Sequence, residues 1–175
     1  MLDRFHPANV LWAGPTHGTY GARELQAALV RAGISPVLVK SGQTLDLGDG
    51  AVLRVLTAGP RGAILLLEWD RFRLLLPLGA NLDDLEALEY GKSIGNISAL
   101  LLADSGYAPI NPPEWIANLR PQVVLLSVAA GDREGLPDPE TVKAVEGYTV
   151  LRTDCNGWIE LSTDGKQMWV EVEKK

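Results

Sequence analysis

Four unbroken apolar runs constrain the fold more than anything else in the chain: residues 64–67 (ILLL), 74–76 (LLL), 100–102 (LLL) and 123–126 (VVLL). A strand with one face in water alternates apolar and polar side chains, so strands like these need cover on both faces. Helices supply one cover, but the pattern offers only about four short helices for roughly ten strands. The other cover is then most naturally a second sheet. An α/β (α+β) fold built as a helix–sheet–sheet–helix sandwich fits better than a simple three-layer arrangement.

The element pattern supports this. The first forty residues read as a strand over residues 9–13, a helix over 22–31 with Leu25, Ala28 and Leu29 on one face, a stop at Gly33, and a strand over 36–40. A β-rich block follows, with strands over 43–47, 51–57, 63–69 and 72–76. They are separated by Gly48-Asp49-Gly50, Gly59-Pro60-Arg61-Gly62 and the tight Asp70-Arg71. Residues 82–90 read as a helix with Asp83 and Asp84 near its positive end. The last third alternates: strand 99–103, a proline-led helix over 112–119, strand 123–128 and helix 139–145. Strands over 148–152, 158–162 and 168–172 close the chain, with Asn156-Gly157 and Asp164-Gly165 as turns. No internal repeat or low-complexity linker divides the sequence, so residues 1–175 read as one domain.

Composition excludes several classes. With 46% hydrophobic residues and no long charge run the chain is not disordered, and its one cysteine, Cys155, rules out a disulfide scaffold. No stretch approaches the roughly 18 apolar residues that span a bilayer, and the start MLDRFHPANV lacks the apolar core of a secretory signal. A net charge of −6 repels phosphate backbones on average. The nearest thing to a basic cluster, Arg61, Arg71 and Arg73, reads as solvated strand faces rather than a nucleic-acid groove.

The order of motifs from Asp46 to Gly165 resembles the C-terminal part of the metallo-β-lactamase-type domain of ComEC-type DNA-internalisation competence proteins. The stretches that carry the resemblance are LDLGDGAVLRVL (residues 45–56), LLLPLGA (74–80), ALLLADSGY (99–107), PPEWIANLRPQVVLLSVAAGDREGLPDPE (112–140) and VLRTDCNGWIEL (150–161). The resemblance implies a metallo-β-lactamase-like αββα sandwich, incomplete on its N-terminal side. It also implies a place around DNA uptake, as the extracytoplasmic part of a bacterial inner-membrane protein.

At the family's metal-binding positions this sequence departs. Where the family carries a bridging aspartate after a strand-end glycine, Gly79 is followed by Ala80; its His-His-Gly-Ser turn corresponds to Asp104-Ser105-Gly106-Tyr107. Its histidine before a proline corresponds to Leu136, and its histidine-rich first motif would lie upstream of residue 1. A hydrolytic zinc site needs about three imidazole or carboxylate ligands plus an open position, and a bridging carboxylate to hold two metals about 3.5–4 Å apart. A methyl and an isobutyl group supply neither, so Gly79, Ala80, Asp104, Ser105, Gly106, Asp132 and Leu136 read as vestigial positions, with no catalytic residue, metal or cofactor expected. A divergent single-metal site would have to draw on Asp104, Asp132 and an upstream group.

Other constellations read as structural. Ser105 has no histidine downstream, which excludes a Ser–His hydrolase in its usual order. His6 and His17 stand alone, His17 as a loop residue bonding backbone, and Cys155 as an inert turn thiol. Asp83, Asp84, Glu86 and Glu89 make a solvated acidic face without EF-hand spacing. Trp115 is expected to pack its helix on the sheet. Trp158 and Trp169 are expected to stack across neighbouring strands, or else to offer a platform to single-stranded bases.

The expectation is therefore a non-catalytic structural or binding module. The alternatives are a metal-dependent phosphodiesterase or nuclease with divergent ligands, and a regulatory interaction domain unconnected with DNA. A sheet face left open by a missing half would promote self-association or require a larger membrane protein chain as partner.

Overall fold

The turns predicted between the early strands are where the chain reverses. In a computed structural model of the protein, which describes residues 7, 9–13 and 20–174, β3 (Thr44–Gly48), β4 (Ala51–Gly59), β5 (Gly62–Trp69) and β6 (Phe72–Leu78) form an antiparallel meander. Asp70 takes a left-handed φ of 50° in the tight β5–β6 turn, a conformation Asp tolerates better than most residues. From β6 onward the pairing becomes parallel, through β7 (Ala99–Leu101), β8 (Val123–Leu126) and β9 (Thr149–Arg152). The seven strands lie in sequence order in one mixed sheet.

Each parallel link carries helix. α2 (Leu82–Ala87) enters through a capping box in which Asn81 accepts from the Asp84 N–H while the Asp84 carboxylate accepts from Asn81 N–H. α3 (Pro113–Leu119) starts on proline, and α4 (Pro139–Ala144) does the same. Leu66, Leu75, Leu100, Val124 and Val150 stand in register across β5 to β9 and so share one face. Trp115, Ile116 and Leu119 of α3 and Leu85 of α2 pack into the same cluster, all fully buried. This is the main core, and Trp115 packs its helix on the sheet as the sequence indicates.

The opposite face is also apolar. Leu53, Leu65, Leu67, Leu74, Leu76, Leu101, Leu125 and Leu151 are half-buried, and Val55 and Ala99 are buried. In place of a second full sheet, the described residues carry two small ones: β1 (Leu11–Trp12) parallel to β2 (Val37–Leu38), joined through α1 (Tyr20–Arg31), and a C-terminal hairpin, β10 (Ile159–Thr163) with β11 (Met168–Val172). The hairpin tip docks on the β5–β6 turn, where the N–H groups of Arg71 and Phe72 both donate to Gly165 O (2.8 and 3.0 Å).

Several local expectations are corrected. Of the predicted α1 face, Leu29 is buried but Leu25 is 44% exposed, because α1 serves a two-stranded sheet with little surface to cover. The helix predicted over 82–90 stops at Ala87, and Glu89 and Tyr90 turn left-handed; Tyr90 O then accepts from the Asn118 side chain of α3 (2.8 Å). Asn156-Gly157 does not make a hairpin: a single helical turn, α5 (Thr153–Asn156), carries the chain from β9 out of the large sheet, with Asn156 Oδ1 accepting from Arg152 N (2.9 Å). Trp158 stands beside Glu173 and Trp169 opposite Ser162, so the two tryptophans are not a cross-strand pair but sit at positions about 13 Å apart along the ladder.

Candidate functional site: the cleft at the strand ends

Parallel pairing places the carboxyl ends of β6, β7, β8 and β9 along one edge of the sheet. The amino end of β5 joins them because β5 runs the other way. In open α/β sheets this edge is where ligands bind, since the chain leaves every strand there through a loop. A cleft of about 480 Å³ opens at that edge, lined among others by Arg61, Gly79, Leu101, Asp104, Ser105 and Ser127.

The loop after β7 is the most contorted part of the site. Asp104, Ser105 and Gly106 have φ values of 39°, 54° and 87°, three left-handed residues in succession. Non-glycine residues reach that region at a cost, so surrounding contacts must hold them there. Gly106 N and Tyr107 N donate to Ala103 O and Asp104 O, closing the turn (2.9 and 3.1 Å). Gly106 O accepts from Asp138 N (3.2 Å), and Ala108 N donates to the Asp138 carboxylate (2.7 Å), tying the loop to the start of α4. Buried Asn111 completes the frame. Its amide accepts from Ala103 N and donates to Ala103 O, replacing the strand partner that Ala103 would have had and ending β7 two residues earlier than predicted.

The positions read as vestigial in the sequence fall in different environments. Gly79, Asp104 and Ser105 line the cleft. A side chain at Gly79 would put its Cβ 2.2 Å from Arg61 O, so the two strands close on each other through bare backbone. Ala80 is 1% exposed and belongs to the apolar core, and Leu136 packs against that same core. Asp132 is spent within its own loop, where Oδ1 accepts from Glu134 N (2.9 Å) and Leu136 N (3.2 Å). Gly106 is buried against Pro137 and Leu126.

The residue that sequence reasoning missed is Arg61. Its Nη2 lies 3.1 Å from Asp104 Oδ2, bridging the β4–β5 turn and the loop after β7 across the cleft mouth. Along the sequence Arg61 reads with Arg71 and Arg73 as the nearest thing to a basic cluster. The structure divides the three: Arg61 and Arg71 stand at opposite ends of β5, and Arg73, expected on a solvated face, is half-buried. Arg73 donates to Glu68, to Ile94 O and to Asn96 O.

These residues do not fit a two-metal centre. The positions that would bridge and complete it carry apolar groups packed on the core, and the one carboxylate among the described residues lining the cleft, Asp104, already meets a guanidinium. Among the described residues no three His, Cys, Asp or Glu side chains stand together as a metal's ligands would. His6 and His17 lie outside the described residues. Cys155 is exposed in α5. Beside it, a two-point pair from Arg152 to Asp154 (3.0 and 2.7 Å) holds the Asp154 carboxyl below the usual carboxylate range and raises the guanidinium further above its own.

No protein-family model and no curated protein matches the sequence. Solved structures similar in fold include that of a proposed metal-dependent hydrolase from Parabacteroides distasonis, at 12% identity and a TM-score of 0.49, covering 82% of this chain and 74% of that one. Another is a proposed zinc-dependent hydrolase of the metallo-β-lactamase superfamily from Thermotoga maritima, at 16% identity and a TM-score of 0.34, covering 53% of this chain and 48% of that one.

Proposed function

We propose that the chain is a non-catalytic metallo-β-lactamase-like module, related to the competence proteins it resembles, that acts as a structural or binding domain. The observation that carries this reading is the pairing of Arg61 with Asp104 at the mouth of the strand-end cleft. It places a fixed positive charge against the one carboxylate that faces the cleft among the vestigial positions, while Ala80 and Leu136 contribute to the core. Among the described residues lining the cleft, no carboxylate is then left free to hold a metal and activate water.

The half-buried leucines on the second sheet face favour a partner on that side, either another copy of the chain or further parts of a larger membrane protein. DNA enters only through the family resemblance. Elemental analysis of the dialysed protein, with a strand-cleavage assay in Zn²⁺ and in Mn²⁺, tests the reading. It expects less than one tightly held metal per chain and intact DNA. A stoichiometric metal that survives dialysis overturns it in favour of a metal-dependent hydrolase. DNA binding measured at low and moderate salt separates a DNA-contacting module, which gives a steep salt slope, from a regulatory one.

A further inference from the structure

A second cleft, which shares Leu102 with the first, lies between α4 with its following turn and the strands β8 and β9. Its volume is about 270 Å³. Leu102, Leu126, Val145, Val150 and Tyr148 give it apolar walls, the first three of them buried. Thr141 also lines it. That residue is 1% exposed, and its Oγ1 has no hydrogen-bond partner among the described residues.

The orphaned hydroxyl follows from local structure. A threonine inside a helix ordinarily bonds its hydroxyl to the carbonyl one turn back. Thr141 is the third residue of α4, so the residue four positions earlier is Pro137, which lies in the loop before the helix. Asp138, which precedes the helix and is placed to cap it, instead accepts from Ala108 N. Buried polar groups are nearly always satisfied, so an unpaired one that lines a cavity points to a group that comes from outside the chain.

We infer that this cleft binds a small neutral molecule with an apolar body and a single hydroxyl or carbonyl that pairs with Thr141 Oγ1. Charge argues for neutrality. Arg152 lines the cleft but its guanidinium is already matched by Asp154, and the other ionised group at the rim, Glu146, is exposed. Size argues for one ring, since an apolar cavity of about 150 Å³ already takes benzene. The two clefts have only Leu102 in common, and the Thr141 hydroxyl keeps its role whether or not the first cleft holds a metal.

The test uses phenol and toluene, which differ by a hydroxyl against a methyl, titrated into the methyl-labelled protein. Phenol is expected to shift the Leu126, Val145 and Val150 methyl resonances saturably. Thr141→Val keeps the side-chain volume, so the fold is expected to persist. It should weaken phenol roughly two- to tenfold while leaving toluene unchanged or tighter. Thr141→Ser keeps the hydroxyl and should restore the preference for phenol. If neither probe shifts these methyls, as when one fixed water satisfies the hydroxyl, the inference fails. It fails equally if Thr141→Val weakens both probes alike or leaves phenol unaffected.

Discussion

Replacing Ala80 with aspartate would put back the carboxylate that a two-metal site requires, and the structure says what this would cost. Ala80 is 1% exposed among Leu85, Leu102 and the other core side chains, directly before the Asn81 cap of α2. A carboxyl buried in such surroundings has its pKa raised by about three to five units above a value near 3.9. The raised folded-state value means that the unfolded chain releases its proton first, so the deficit grows as pH rises. At about pH 8 the ionisation term is roughly 4–6 kcal/mol, and at about pH 5 roughly 1.5 kcal/mol. A typical domain is stable by only about 5–15 kcal/mol, so Ala80→Asp should be near unfolding at the higher pH and recover about 2.5–4.5 kcal/mol at the lower one. Urea titrations at both pH values, with and without excess Zn²⁺, measure this directly. The reasoning is refuted by a deficit below about 1 kcal/mol at pH 8, or by saturable rescue with zinc, since either places the position-80 side chain in the cleft rather than the core.

Two further outcomes follow from the same geometry. Gly106→Ala would place a Cβ 2.7 Å from the Pro137 Cβ and 3.0 Å from Leu126 Cδ1 at a φ of 87°, and should destabilise by about 2–4 kcal/mol in thermal denaturation. Gly131→Ala, at a φ of 68° with nothing within 4 Å, is the control and should lose no more than about 1–2 kcal/mol. Asp154→Asn should lose about 1 kcal/mol near neutral pH, where the lowered carboxyl pKa of Asp154 contributes stability. That difference should vanish as pH falls from about 4 through the folded-state pKa, because the native chain then binds the proton too; a difference that survives in strong acid assigns it to packing instead.

The parts of the fold that could be read in the sequence are those set by local chemistry. Asp70-Arg71 turns where a two-residue loop allows it, Pro113 and Pro139 open helices, and the doubly apolar runs at 64–67, 74–76, 100–102 and 123–126 are central strands. The parts that could not be read are set by tertiary contacts. Nothing between Ala87 and Gly91 signals a helix stop; the chain turns there because Tyr90 O is taken by Asn118 from α3, 28 residues away. Ala103 reads as strand, but the Asn111 side chain occupies both its backbone groups. Asn156-Gly157 carries the strongest short hairpin signal in the chain, yet the dipeptide has no adjacent antiparallel strand to serve, because β9 is the end of the parallel series.

For the cleft, the sequence located the positions but not their directions. Gly79, Ala80, Asp104 and Leu136 all fall at strand ends or in the loops beyond them, as their spacing along the chain requires. Whether such a residue faces ligand or core depends on a rotation of the backbone that one residue's shift reverses, and Gly79 and Ala80 divide between the two. Arg61 shows the complementary difficulty. Its partner is 43 positions away and meets it only because β5 runs against β6 while β7 runs with it, bringing the start of one strand to the end of another. Pairings of that kind are a property of strand direction. Once the switch from antiparallel to parallel at β6 is known, they follow for any residue at the amino end of β5, and with them the possibility of a positive charge meeting the Asp104 carboxylate.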